Sequence, residues 1–237
     1  MPLPTIVTPT FELTLPSNGK KIKYRPFLVK EEKILILAIE STDVKIITNS
    51  IKDVLKSCIL TRGVKVDQLP TFDIEYIFLN VRARSIGESV DLLVTCPDDN
   101  KTQVSTQIYI DEIKVKRSDD HTTDIKVDDT WTIKMKYPSL DQFIGDNFDF
   151  NQSDDNTFDI VASCIDMIFS DDEAYDAKDS TKKELIKFIE QLNSKQFAEI
   201  EKFFDTMPKL SHDITVVNPE TEVESTVTLE GLASFFG

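Results

Sequence analysis

The sequence predicts an α+β fold, mainly helical, with three β-hairpins. Three observations predict it. Stretches of alternating apolar and polar residues flank turn-rich tips in three places, at residues 11–25, 90–110 and 212–229. Elsewhere apolar residues recur at helical spacing, first from Val29 and again from Ile160. Hydrophobic residues make up 40% of the 237 positions, enough to bury a core and to rule out global disorder. At roughly 100–200 residues per domain, the chain holds one elaborated domain or two small ones.

In chain order, Thr5-Ile6-Val7 and Phe11 to Leu15 read as extended, and Pro16-Ser17-Asn18-Gly19 turns the chain back into Lys20 to Tyr24. Pro26 keeps Arg25 out of helix. A first helix opens at Val29, and its run Ile34 to Ile39 is apolar over most of the circumference, which predicts deep packing. Asp43 can cap a second helix with Ile46, Ile47, Ile51, Val54, Leu55 and a buried Cys58 on its face. Leu69-Pro70-Thr71 starts a third, with Ile74, Ile77, Phe78 and Val81 together and Gly87 as its stop. A second hairpin, Val90 to Val94 and Val104 to Ile110, surrounds Cys96-Pro97-Asp98-Asp99-Asn100.

Residues 111–123 read as a charged loop, and Trp131 to Tyr137 as a strand ended by Pro138. Ser139 can cap a short helix with Leu140, Phe143 and Ile144, before an acidic loop at 146–156. Ile160, Val161, Cys164, Ile165 and Ile168 form one helical face. Thr181 with Glu184 fits a capping box, and Ser194 can cap a helix carrying Phe197, Ile200, Phe203 and Phe204. The third hairpin, His212 to Val217 and Val223 to Leu229, turns at Asn218-Pro219-Glu220. This divides the chain into an N-terminal arm and hairpin (1–27), a section of helices with the central hairpin (28–138), and a C-terminal section ending in Phe235-Phe236 (139–237).

Lys and Arg number 27 against 42 Asp and Glu, a formal net charge of −15. Such a chain is poorly built to grip nucleic acid or an anionic membrane. Residues 1–65 nonetheless hold 11 basic and 6 acidic residues, a net +5, so the rest carries −20. That contrast is either a docking gradient or simply solvated surface. Cys58, Cys96 and Cys164 are too few and too scattered for a disulfide framework and suit a reducing compartment. No apolar run approaches the ~20 residues of a membrane span, and Met1-Pro2-Leu3-Pro4 does not resemble a signal peptide. These features predict a soluble intracellular protein.

Catalytic patterns are missing. The six glycines are scattered, so there is no phosphate-cradling loop and no Gly-x-Ser-x-Gly elbow. His121 and His212 lie in no paired metal motif and read as solvated or capping residues. A calcium loop from Asp149 fails at Asp154, where Gly is needed, and at Ile160, where a bidentate Glu is needed; one from Asp171 fails at Lys182. Cys96-Pro97 at a hairpin tip resembles half a zinc knuckle, but no second thiol follows and the third hairpin has Asn218-Pro219. Two of the hairpins therefore read as zinc-ribbon-like knuckles without metal. No catalytic, cofactor or metal residue is expected. The rival from another class is a metal-dependent hydrolase using Asp149 and Asp171.

Several blocks together resemble the T4-like phage baseplate hub and hub-assembly family. They are Leu15 to Lys20, Tyr24 to Lys33, Leu69 to Tyr76, Arg82-Ala83-Arg84-Ser85, Thr95-Cys96-Pro97, Phe203 to Leu210 and Leu229-Glu230-Gly231-Leu232. They occur in order over nearly the whole chain. Members of that family carry Cys-Pro-x-Cys tips on the two later hairpins, of which this sequence keeps only Cys96. The resemblance implies a non-enzymatic component of a contractile-tail baseplate, located in the virion after assembly in the host cytoplasm. It implies other hub proteins as partners, without nucleic acid or membrane, or else the role of a transient assembly chaperone. Docking needs apolar anchors and rim charges, and the candidates are Arg25, Phe27, Arg82, Arg84, Phe235 and Phe236. Arg82 and Arg84 could equally pair within the chain, and Phe235 and Phe236 could fold back on the core.

Overall fold

The computed structural model describes residues 6–140, 142 and 156–231, with six α-helices and eleven strands in small antiparallel sheets among them. The chain divides into two units, one from Met1–Lys116 with Lys209–Gly237, the other Arg117–Pro208.

The first unit begins with the expected hairpin. Strands β1 (Phe11–Thr14) and β2 (Lys21–Tyr24) pair with Phe11 opposite Tyr24 and Leu13 opposite Ile22. Gly19, at φ +69°, makes the turn whose amide donates to the Leu15 carbonyl, a left-handed conformation that glycine adopts without steric cost. Three helices follow: α1 (Val29–Glu40), α2 (Val44–Cys58) and α3 (Thr71–Ser85). Asp43 caps α2 by accepting from the amides of Lys45 and Ile46. That turns Ile51, Val54, Leu55 and Cys58 inward, all at most 4% exposed.

The deeply packed helix is α3, which buries nine of its 15 residues. The expectation for α1 is corrected: it buries only Glu31, Leu35 and Ala38, and Ile34, Ile36, Leu37 and Ile39 stay about half exposed. A helix that contacts its unit along one stripe covers that stripe alone, however apolar its other faces are.

Strands β3 (Ser89–Thr95) and β4 (Gln103–Tyr109) form the second hairpin. The third, β10 (Lys209–Val217) with β11 (Glu224–Glu230), gains a third strand, β5 (Lys114–Lys116). This β5 lies in the stretch expected to be loop; pairing with residues almost a hundred positions away overrides its charged composition. Val90, Leu92 and Val94 alternate inward from β3 and share one core with Leu79 of α3 and Leu210, Ile214 and Val216 of β10.

Among its described residues the second unit has a four-stranded meander and the helices Asn156–Cys164, Lys182–Ile189 and Ser194–Thr206. Its strands β6 (Asp124–Lys126), β7 (Thr132–Met135), β8 (Ile165–Phe169) and β9 (Ala174–Asp176) lie in that order. Helix α4 (Asn156–Cys164) stops where the sequence pattern would have continued it, because Ile165–Phe169 is a strand with Ile168 opposite both Ile133 and Tyr175. The apolar face expected to run through Ile168 is therefore a helix face followed by a strand face. The acidic run Ser170 to Glu173 turns β8 into β9, with the Ser170 amide donating to the Glu173 carbonyl.

Helix α5 (Lys182–Ile189) starts at the expected box: the Glu184 amide donates to Thr181 Oγ1, and the Thr181 amide to Glu184 Oε2. Helix α6 (Ser194–Thr206) is capped by Asn193, one residue before the expected Ser194. Phe143, Ile144 and most of the acidic loop at 146–156 lie outside the described residues.

Candidate functional site

Arg25 leaves β2 and donates its amide to the Cys58 carbonyl, which ties the hairpin to the end of α2. Its guanidinium donates to Glu31 Oε1 at 3.0 Å and to the Pro26 carbonyl at 2.8 Å. Glu31 is 3% exposed, and its Oε2 also accepts from the Leu28 amide at 2.6 Å, closing the first turn of α1. The hydrogen bond that Arg25 donates to Glu31 opposes the effect of burial on both groups. It raises the Arg25 pKa, while on Glu31 burial acts upward and is outweighed by Arg25, the Leu28 amide and Lys30, which hold the carboxyl below its usual range. Phe27 is buried, with its amide donating to Ser85 Oγ of α3. Arg25 and Phe27 thus join β2, α1, α2 and α3.

Arg82 and Arg84 end α3. Arg82 Nη1 is buried with no hydrogen-bond partner among the described residues, and desolvation pushes its pKa down. Arg84 pairs with Glu88 and lays its guanidinium over the Phe11 ring, 5.0 Å from the centroid. Phe11 is the first residue of β1 and follows residues 6–10, which have no regular structure. In that segment Ile6 and Val7 are 88% and 90% exposed. Phe235 and Phe236 lie outside the described residues.

The tips of the second and third hairpins are built alike. The Asn100 amide donates to the Cys96 carbonyl, and the Glu222 amide to the Asn218 carbonyl; Asn100 and Glu222 both have left-handed φ, at +53° and +60°. Proline follows the first residue of each tip. The two tips are fastened by Asp98, which accepts from Asn218 Nδ2 at 2.9 and 3.1 Å and from Thr221 Oγ1 at 2.5 Å. Thr221 and Asn218 together hold the Asp98 carboxyl below its usual range.

This donor set does not suit zinc. One thiol is present, Cys96, which burial and then Asp98 and Asp99 push up, away from the thiolate a metal needs. Asn218 is 1% exposed while Asp98 lies at the surface, so Asn218→Ala removes a charge-assisted clasp that is enclosed on one side only and costs about 1 kcal/mol. Equilibrium denaturation in urea checks this, and a midpoint equal to the parent's would refute it.

The other two cysteines are equally enclosed, and burial pushes the Cys58 and Cys164 thiols up to about 11. His121 is 6% exposed, which corrects its reading as a solvated or capping residue. Its ring nitrogens lie 3.0 Å from Thr206 Oγ1 and 3.0 Å from the Tyr137 hydroxyl. Desolvation, then Arg117, keeps it below its usual pKa. Asp149 falls outside the described residues, and Asp171 is exposed in the β8–β9 turn. Among the described residues no three His, Cys, Asp or Glu side chains are placed to hold a metal. No helix among them is long and apolar enough to cross a membrane.

The Asp98 clasp and the inward Arg25–Glu31 pair escaped sequence reasoning, since Asp98 and Asn218 are 120 residues apart. The usable signal was the repeated proline at the second position of two hairpin tips. No curated protein and no solved structure matches the chain. The family of the T4 bacteriophage base plate protein does match it, over residues 8–237, and the chain belongs to that family.

Proposed function

We propose that this baseplate protein is a structural component of the central hub of a contractile tail, assembled in the host cytoplasm, and that it acts by contact with other hub proteins and makes or breaks no bond. The observation that carries this reading is the segment 6–10. Ile6 and Val7 are almost fully exposed, and Pro9 restricts the backbone before β1. An apolar segment whose backbone is already restricted by a proline loses less conformational entropy on docking, so its burial translates more efficiently into affinity.

Arg84 over Phe11 sits where this segment enters the fold and supplies a cationic rim beside it. Arg25 and Phe27 serve the same surface from inside, by fixing the hairpin on its helices. The two fastened tips fit a zinc-ribbon-like pair of knuckles in which hydrogen bonds to Asp98 take the place of a metal.

The test is co-expression with the other hub proteins of the same phage, followed by pull-down and native mass measurement. Deleting residues 1–10 should leave the circular dichroism spectrum and Tm unchanged and lower recovery of hub proteins at least tenfold. Recovery equal to that of the full chain would refute the role of the segment. Failure of the full chain to bind any hub protein would refute the hub reading itself.

A further inference from the structure

The outer side of α1 carries a pattern that the hub reading leaves unused. Opposite its buried stripe of Glu31, Leu35 and Ala38, helical spacing places Val29, Lys33, Ile36, Leu37 and Glu40. Val29 is 81% exposed, Ile36 50% and Leu37 55%, and on the flanks Ile34 and Ile39 are 45% and 48% exposed. Five large aliphatic side chains on one helix thus face water, where a soluble surface usually keeps them single.

The order of these residues is self-complementary. Counted outward from the midpoint between Ile36 and Leu37, Ile34 mirrors Ile39 and Lys33 mirrors Glu40. A two-fold interface brings residue i of one protomer against residue j of its partner and repeats the contact in reverse. With the axis perpendicular to α1 at that midpoint, two copies lie antiparallel. Ile36 then meets Leu37 at the centre, and Lys33 faces Glu40 at both ends. A parallel pairing would set Lys33 against Lys33 and Glu40 against Glu40. The stripe's one lysine and one glutamate make it neutral, so it is not tuned to a strongly charged partner. It is tuned to itself.

We infer that α1 is a homodimer interface, in which the Lys33–Ile36–Leu37–Glu40 faces of two copies pack antiparallel about a two-fold axis. This inference is independent of the hub reading, since it requires no other protein. Its strength is bounded by size. A helix of 12 residues is about 18 Å long, and the pair lies at the small end of specific interfaces, below about 1,200 Å². The dimer is therefore weak, and it forms as concentration rises or where neighbours hold two copies close.

Sedimentation equilibrium of the full chain over a micromolar concentration series should show a mass rising from 27.0 kDa toward twice that value. Leu37→Asp should remain monomeric throughout, with an unchanged circular dichroism spectrum, because the side chain is already exposed in the folded monomer. The decisive comparison is charge reversal. Lys33→Glu and Glu40→Lys each turn two attractive contacts into two repulsive ones and should each weaken the dimer about tenfold. The double reversal should return it to within about threefold of the parent, because it restores both pairs across the axis. Residues 33 and 40 are two turns apart on one helix, so no contact within a chain can produce that rescue.

A monomer at every concentration overturns the inference. So does a dimer indifferent to Leu37→Asp, or a double reversal no better than either single one. A chain whose Leu37 becomes protected only when another baseplate protein is added would also overturn it, by giving the face a different occupant.

Discussion

Phe203→Ala is expected to destabilise the second unit by about 3–5 kcal/mol, the cost of removing a fully enclosed aromatic side chain and leaving a cavity. Phe203 is 2% exposed and lies on the inner face of α6, with Ile200 at 0% and Phe204 at 3%. Its ring is 5.0 Å from Phe204 in an edge-on arrangement, 5.2 Å from the His121 ring and 5.7 Å from Tyr137, centroid to centroid. The substitution thus removes more than area: it withdraws one side of the enclosure that keeps His121 dry and uncharged. Water entering there would compete for the His121 hydrogen bonds to Thr206 and Tyr137. Trp131, the only tryptophan, lies in this unit with its ring 6.0 Å from Tyr175 and packs against the same core. Denaturation followed by tryptophan fluorescence therefore reads this core, and its midpoint should fall sharply in Phe203→Ala. A loss below about 1 kcal/mol would mean that the site collapses around the gap and that α6 is not the keystone of the unit.

What the sequence made legible follows how locally each feature is determined. The hairpins at residues 11–25, 90–110 and 212–229 were readable because alternation and turn chemistry lie within about 20 residues. The caps at Asp43 and Thr181 were readable for the same reason. Ile165–Phe169 was not, because Ile165 and Ile168 suit a helix face and a strand equally, and only pairing with β7 and β9 decides between them. Nor was the fate of α1: an apolar circumference shows what could be buried, while burial depends on which elements arrive to cover it. α3 had the weaker pattern and the deeper position.

The candidate site was less legible than the fold. Arg25 reads as a surface cation until Glu31 is known to be enclosed six residues on. His121 reads as polar loop until Tyr137 is known to stack on it and Phe203 to pack against it. Family resemblance reached the baseplate assignment without either fact, because it draws on the order of many blocks and not on any one contact.

Glu31→Ala should cost about 3–5 kcal/mol, the range for removing one member of an enclosed ion pair and leaving the other charge unmatched. The carboxylate has two duties. It accepts from Arg25, whose side chain is 15% exposed, and it accepts the Leu28 amide at the start of α1. Without it, Arg25 keeps the Pro26 carbonyl as an acceptor but loses its counter-charge, and the helix loses its N-terminal anchor. Glu31→Gln separates the two, because its amide oxygen can still accept from Leu28 while the charge is gone; it should cost less than the alanine variant.

The pH dependence fixes the sign. The folded carboxyl titrates below its ordinary value, near 4.3 in an unfolded chain. On acidification the unfolded state therefore takes up its proton first. The pair's contribution is fully present above about pH 4.3 and is lost as pH falls through the folded value. The stability gap between the parent and Glu31→Gln should accordingly be widest near neutral pH and close in acid, as measured by urea denaturation at a series of pH values. A gap that stayed constant down to the acid limb would show that Glu31 acts through packing alone, and that Arg25 needs no counter-charge where the hairpin meets α1.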